Sequence, residues 1–158
     1  MNHDHYHLFR RTAYTYEFYS DGPKGKIRKA VNFKRKCVSN QKFFNLGFGD
    51  WDEKTNSIAD KIITNNKDRD KVLATVAVAV LDFITNYPEE IIFATGSTDS
   101  RTRLYQMSLA RILPEVKDFF TIKGFVDGKW EFFEKGRNYE AFILKARKKL
   151  NKFGNEKA

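Results

Sequence analysis

In 158 residues the chain has one cysteine, three prolines and three histidines. A lone Cys37 cannot close an internal disulfide, so a reducing compartment, the cytoplasm, is the expectation. All the histidines (His3, His5 and His7) lie at the N-terminus, which leaves no Ser-His-Asp arrangement to assemble. They alternate with Asp4 and Tyr6 and would share one face if extended, but nothing at a chain terminus fixes a zinc geometry. The longest apolar run, 72–81, has ten residues, too few for a bilayer span, and the first residues hold no apolar core of signal-peptide length. Internal repeats, low-complexity segments, linkers and the P-loop spacing are all missing. No membrane, metal or cofactor is expected.

Acidic residues are outnumbered. There are 29 Lys and Arg against 20 Asp and Glu, a net charge of +9. Nucleic acid, a nucleotide and an acidic protein partner each satisfy that balance. Hydrophobic content of 41%, with 15 phenylalanines, supports a core, and a chain of this length buries roughly two-thirds of its unfolded surface. The pattern predicts one domain over 13–147, a mobile N-terminal segment over 1–12 and a basic frayed tail over 148–158.

Residues 13–20 read as a strand with Tyr14, Tyr16 and Phe18 on one face and Glu17 on the other. Turn chemistry at Asp21-Gly22-Pro23-Lys24-Gly25 then predicts a hairpin into a second strand over 26–37. There Ile27, Val31, Phe33 and Cys37 share the apolar parity, and Cys37 is read as a buried, inert thiol. A third strand over 43–50 contains Gly47 and Gly49, which mark a bulge or a close approach. Residues 51–64 read as a loop or irregular edge.

Asn65 or Asn66 is placed to cap a helix that Asp68 and Asp70 favour electrostatically. The apolar residues of 72–84 predict burial on more than one side, and Pro88 ends the segment. A strand over 91–95 leads to Gly96 and a second helix reaching about Ile112, with Pro114 near its end. Asp127-Gly128 predicts a further hairpin between 119–126 and 129–134. Residues 138–147 fit a helix or a strand, and the strand is preferred. The expected architecture is α+β: a mainly antiparallel sheet with two central helices packed on it.

Three groups of residues carry candidate chemistry. The stretch "ATGSTDSRTRLYQM", 94–107, passes from strand to helix through Gly96, Ser97 and Thr98. A helix start presents backbone N–H groups and a partial positive charge to an anion, and Arg101 in the first turn can lean over the same place. Arg103 lies about 200° further round and reaches a neighbouring group instead. Tyr105, four residues after Arg101, supplies a ring or a hydroxyl. The same stretch also reads as a capped helix with two arginines. The second group is the basic strand face of Lys26, Arg28, Lys34 and Lys36, set beside the aromatics Tyr14, Tyr16, Phe43 and Phe44. It is either a polyanion surface or an edge guarded by lysines. The third is Asp50 and Asp52 with Glu53, Asp60 and Asp68, a carboxylate set that reads either as a divalent-metal site or as ordinary turn and cap residues.

Four stretches, "FNLGFGD" (44–50), "NNKDRDKVLATVA" (65–77), "GSTDSRTRLYQM" (96–107) and "NYEAF" (138–142), resemble in the same order a bacterial family, domain of unknown function 6934. The likeness runs over nearly the whole chain. It implies a single domain and a bacterial cytoplasmic origin. The family has no established activity, so the resemblance assigns no role to any residue. The sequence thus points to an anion-binding protein, through residues 96–103 and the basic strand face. A metal-dependent nuclease or nucleotide-processing enzyme and a protein–protein regulatory or toxin–antitoxin component are the alternatives.

Overall fold

A computed structural model of the chain describes residues 4–59 and 63–147, with the backbone alone of 149–150 and 156–157. The elements in chain order are β1 (Phe9–Thr12), β2 (Thr15–Gly22), β3 (Gly25–Val38), β4 (Gln41–Asp52), β5 (Ser57–Ile58), α1 (Arg69–Asn86), β6 (Ile92–Ala94), α2 (Asp99–Val116), β7 (Phe120–Val126), β8 (Lys129–Phe132) and β9 (Ala141–Ala146). These form a nine-stranded sheet in the order β1-β2-β3-β4-β6-β9-β7-β8, with β5 laid against β4. Every pair is antiparallel except β4 with β6. The fold is α+β in one domain. Residues 149–150 and 156–157 pair as two short strands, and the rest of the expected tail lies outside the described residues.

Both helices pack on one face of the sheet. Alternation sends Tyr16, Phe18, Val31, Phe33, Phe44, Leu46 and Phe48 to that face, where they join the buried residues of α1 and α2 in a single core. Phe83 of α1 sits at its centre, its ring stacked on Phe33 at 3.9 Å and edge-on to Phe44 at 5.1 Å. Ten residues of α1 are buried, which bears out a helix covered on several sides. Residues 138–147 resolve to a strand: β9 lies between β6 and β7, where Phe142 and Leu144 fill the core.

Three expectations need correction. The N-terminal segment is not loose over its described part: Tyr6 N–H donates to Thr75 Oγ1 at 2.9 Å, its ring stacks on Phe18, and 9–12 form the edge strand β1. Tyr6 and Leu8 bring apolar surface to the rim of the core, which anchors the segment. Neither Asn65 nor Asn66 caps α1. The N-cap is Asp68, whose carboxylate instead accepts hydrogen bonds from the Tyr6 hydroxyl at 2.6 Å and from the Ser20 hydroxyl. Asn66 is buried and pins the β2–β3 hairpin, donating to Gly25 O at 2.8 Å and accepting from Lys24 N–H at 2.7 Å. Cys37 is exposed, because the core ends at Phe33 and the last five residues of β3 run out beyond it. The 51–64 stretch, read as a loop or irregular edge, carries the two-residue strand β5 against β4.

Candidate anion-binding site

The strands β4 and β6 pair only through Phe44–Ile92 and Asn45–Phe93. Beyond residue 45 they diverge, so the backbone of Phe48 loses its strand partner on that side. The first turns of α2 fill the split. Tyr105 lies one turn beyond Arg101, on the same side of the helix. Its hydroxyl accepts the Phe48 N–H at 2.9 Å, while Arg101 donates to Phe48 O and, at 3.1 Å, to Ala59 O. Together the two side chains satisfy both polar groups of one buried residue, as a neighbouring strand would. Burial pushes the Tyr105 hydroxyl up from its ordinary value, with Arg101 and the Phe48 N–H partly offsetting it, so the phenol stays neutral.

The glycines of this region mark close approaches. The β3–β4 register runs without a break from Lys29–Asp50 to Val38–Gln41, so Gly47 and Gly49 form no bulge. A Cβ on Gly49 would meet Arg101 and Ile58 at 2.9 Å. A Cβ on Gly96 would fall 2.5 Å from Thr102 N and 2.6 Å from Arg101 Cβ, so the glycine lets the strand exit pack on the helix. The Gly96 N–H donates to Thr102 Oγ1 at 3.0 Å. Thr98 is the N-cap, its hydroxyl accepting from Arg101 N–H at 3.2 Å. Arg103 points elsewhere, to Gln106 Oε1 at 2.7 Å and Tyr139 O at 3.0 Å, and so ties α2 to the approach to β9.

On the helix-free side this split opens as a cleft of about 380 Å³, and there two of the sequence leads meet. Lys34, Lys36, Asn32 and Asn45 line one wall; Thr95, Ser97, Arg101 and Tyr105 line the other. The basic strand face is therefore divided. Lys34 and Lys36 belong to the cleft. Arg28 lies over the Trp51 ring at 4.7 Å and donates to Glu17 at 2.8 Å and Glu53 at 3.1 Å. Lys26 is exposed at the far hairpin end, opposite Asp21 in register.

The carboxylates are dispersed. Asp50 accepts from Lys29 Nζ at 2.5 Å and from Thr64 N–H at 2.9 Å. Asp52 accepts from Lys54 N–H at 2.9 Å. His3 and Asp60 lie outside the described residues, among which no group of three or more His, Cys, Asp or Glu could hold a metal. Nor is any helix long and apolar enough to cross a membrane among them.

Two buried charges were missed at the sequence level. Lys29, wholly buried, is bonded to Asp50 beneath a second cleft of about 460 Å³ between the starts of α1 and α2. Its parity was the available signal, since it shares the face of Ile27, Val31 and Phe33 and a lysine in that row requires an acid. Glu17 is buried on the helix-free face between Arg11 at 2.6 Å and Arg28. Burial alone would raise its carboxyl, but hydrogen bonds from the two arginines outweigh it and hold it below the usual value.

No curated protein and no solved structure matches the chain. A family model matches residues 2–147, nearly the whole length, including every stretch that builds the cleft. The chain belongs to the family of unknown function DUF6934.

Proposed function

We propose that this protein binds an anionic ligand, a nucleotide or a nucleic acid, in the cleft between the end of β3 and the start of α2. One observation carries this reading: Lys34 and Lys36, from the basic strand, line the same cleft as Ser97, from the strand-to-helix turn. Those residues are far apart in sequence, and each region was a candidate on separate grounds. The net charge of +9 supports it by steering polyanions to the surface. Arg101 has the role of shaping the wall, because its guanidinium is engaged by the carbonyls of Phe48 and Ala59. Phosphate contacts fall to the two lysines. The cytoplasm is the compartment that fits such ligands and an exposed thiol at Cys37.

Isothermal titration with tripolyphosphate and with ATP tests this. Both are expected to bind at low salt, to weaken steeply as salt rises, and to lose measurable binding in the Lys34→Glu, Lys36→Glu double variant. Unchanged binding in that variant, or none to the wild type, would remove the cleft from consideration.

A further inference from the structure

Beyond the cleft, the helix-free face of the sheet continues across four more strands. Residues paired in register share a face, and one row runs straight across: Lys34 on β3, Asn45 on β4, Phe93 on β6, Ile143 on β9, Lys123 on β7 and Phe132 on β8. At about 4.8 Å between strands, the row spans roughly 24 Å. No helix covers it among the described residues, since both pack on the other face.

On the same face, in and beside this row, four rings pack in a chain. Phe43 meets Phe93 at 5.7 Å, Phe93 meets Trp130 at 6.3 Å, and Trp130 meets Phe125 at 5.2 Å. Trp130 and Phe132 are 39% and 61% exposed, large rings left in water. Lys123 Nζ lies 5.0 Å from the Phe132 ring, and Lys145 is exposed two residues beyond Ile143. None of the outward strand positions from Asn32 to Phe132 is acidic.

Outward rings and unopposed lysines across one open sheet face match one chemistry. Bases stack on aromatic faces whatever their sequence, and the phosphates between them need cations at intervals. A duplex hides its base faces and cannot use the rings. We infer that the helix-free face is a stacking platform for single-stranded nucleic acid, with Phe93, Trp130 and Phe132 receiving bases and Lys34, Lys36 and Lys123 receiving phosphates. This rests on the cleft reading and extends it, the cleft being the phosphate-binding end of a longer track.

Fluorescence anisotropy with a labelled ten-nucleotide oligothymidine, run beside tripolyphosphate titration, tests the inference. The Trp130→Ala, Phe132→Ser variant should weaken oligonucleotide binding about tenfold per ring while leaving the salt dependence and tripolyphosphate binding unchanged. Both rings are outward, so circular dichroism should report the wild-type fold. Wild-type Trp130 fluorescence should be quenched on binding. Oligonucleotide binding indifferent to the ring variant, with tripolyphosphate still bound, overturns the platform and spares the cleft. Failure of the wild type to bind either probe overturns both. Equal affinity for a duplex, or a self-association in ultracentrifugation that Phe132→Ser abolishes, also overturns the platform and makes the face a protein interface.

Discussion

The two faces of this sheet share every strand but differ in what they do with their aromatic and charged residues. On the helix-covered face most of the rings lie within the core, and Lys29 is buried there against Asp50. On the helix-free face the rings of Trp130 and Phe132 stand in water, and Lys34, Lys36 and Lys123 face no carboxylate across the strands. The same alternation that hides one set of residues displays the other. The covered face accounts for stability; the open face leaves charge and apolar surface in water, where the proposal places the ligand. Glu17 and Glu53, paired with Arg11 and Arg28, close off the near end of the open face by neutralising its arginines.

Stability measurements should separate the faces sharply. The largest loss is expected from Phe83→Ala, about 3–5 kcal/mol in urea unfolding, since a ring at the centre of a close-packed core leaves a cavity. Lys29→Met should cost on the order of 3 kcal/mol or more by stranding Asp50 in the core, and pairing it with Asp50→Leu should recover most of that. A Tyr105→Phe change leaves Phe48 N–H without its acceptor and should cost about 1–3 kcal/mol. Phe132→Ser, on the open face, should stay within about 0.5 kcal/mol of the wild type.

The smallest expected effect is in the pH dependence. Glu17 has a folded-state carboxyl below its ordinary value of 4.5, so its stabilisation is complete above that value and is lost as pH falls through the folded one. Urea midpoints at about pH 6.5 and about pH 3.5 should therefore differ less in Glu17→Gln than in the wild type.

Local chemistry made much of the frame legible. Asp127 and Gly128 adopt φ of 52° and 77°, the left-handed pair that their sequence announces for a tight hairpin. The period of 72–84 gave α1, and alternation gave the buried row of β2. What stayed hidden depends on partners distant in sequence. Insertion of β9 between β6 and β7 leaves no trace in either strand's own pattern, and β1 and β5 are too short to carry one. Asn66 looks like a cap because its hairpin partners lie more than 40 residues away. In the candidate site, the lysines and the 96–98 turn were readable separately. Their meeting in one cleft was not, because it depends on where β4 and β6 part. The direction of Arg101 was equally out of reach, since position 101 permits a reach to the helix start or to the strand, and only Phe48, without a strand partner on the β6 side, decides it.

The most direct test of the division between the faces is an amide and indole chemical-shift map of the labelled protein titrated with the ten-nucleotide oligothymidine. The account predicts shifts running along the open face through Lys34, Phe93, Ile143 and Lys123 to the Trp130 indole. Shifts confined to the second cleft around Thr64, Asn65 and Arg69, or spread over the helices, would contradict it.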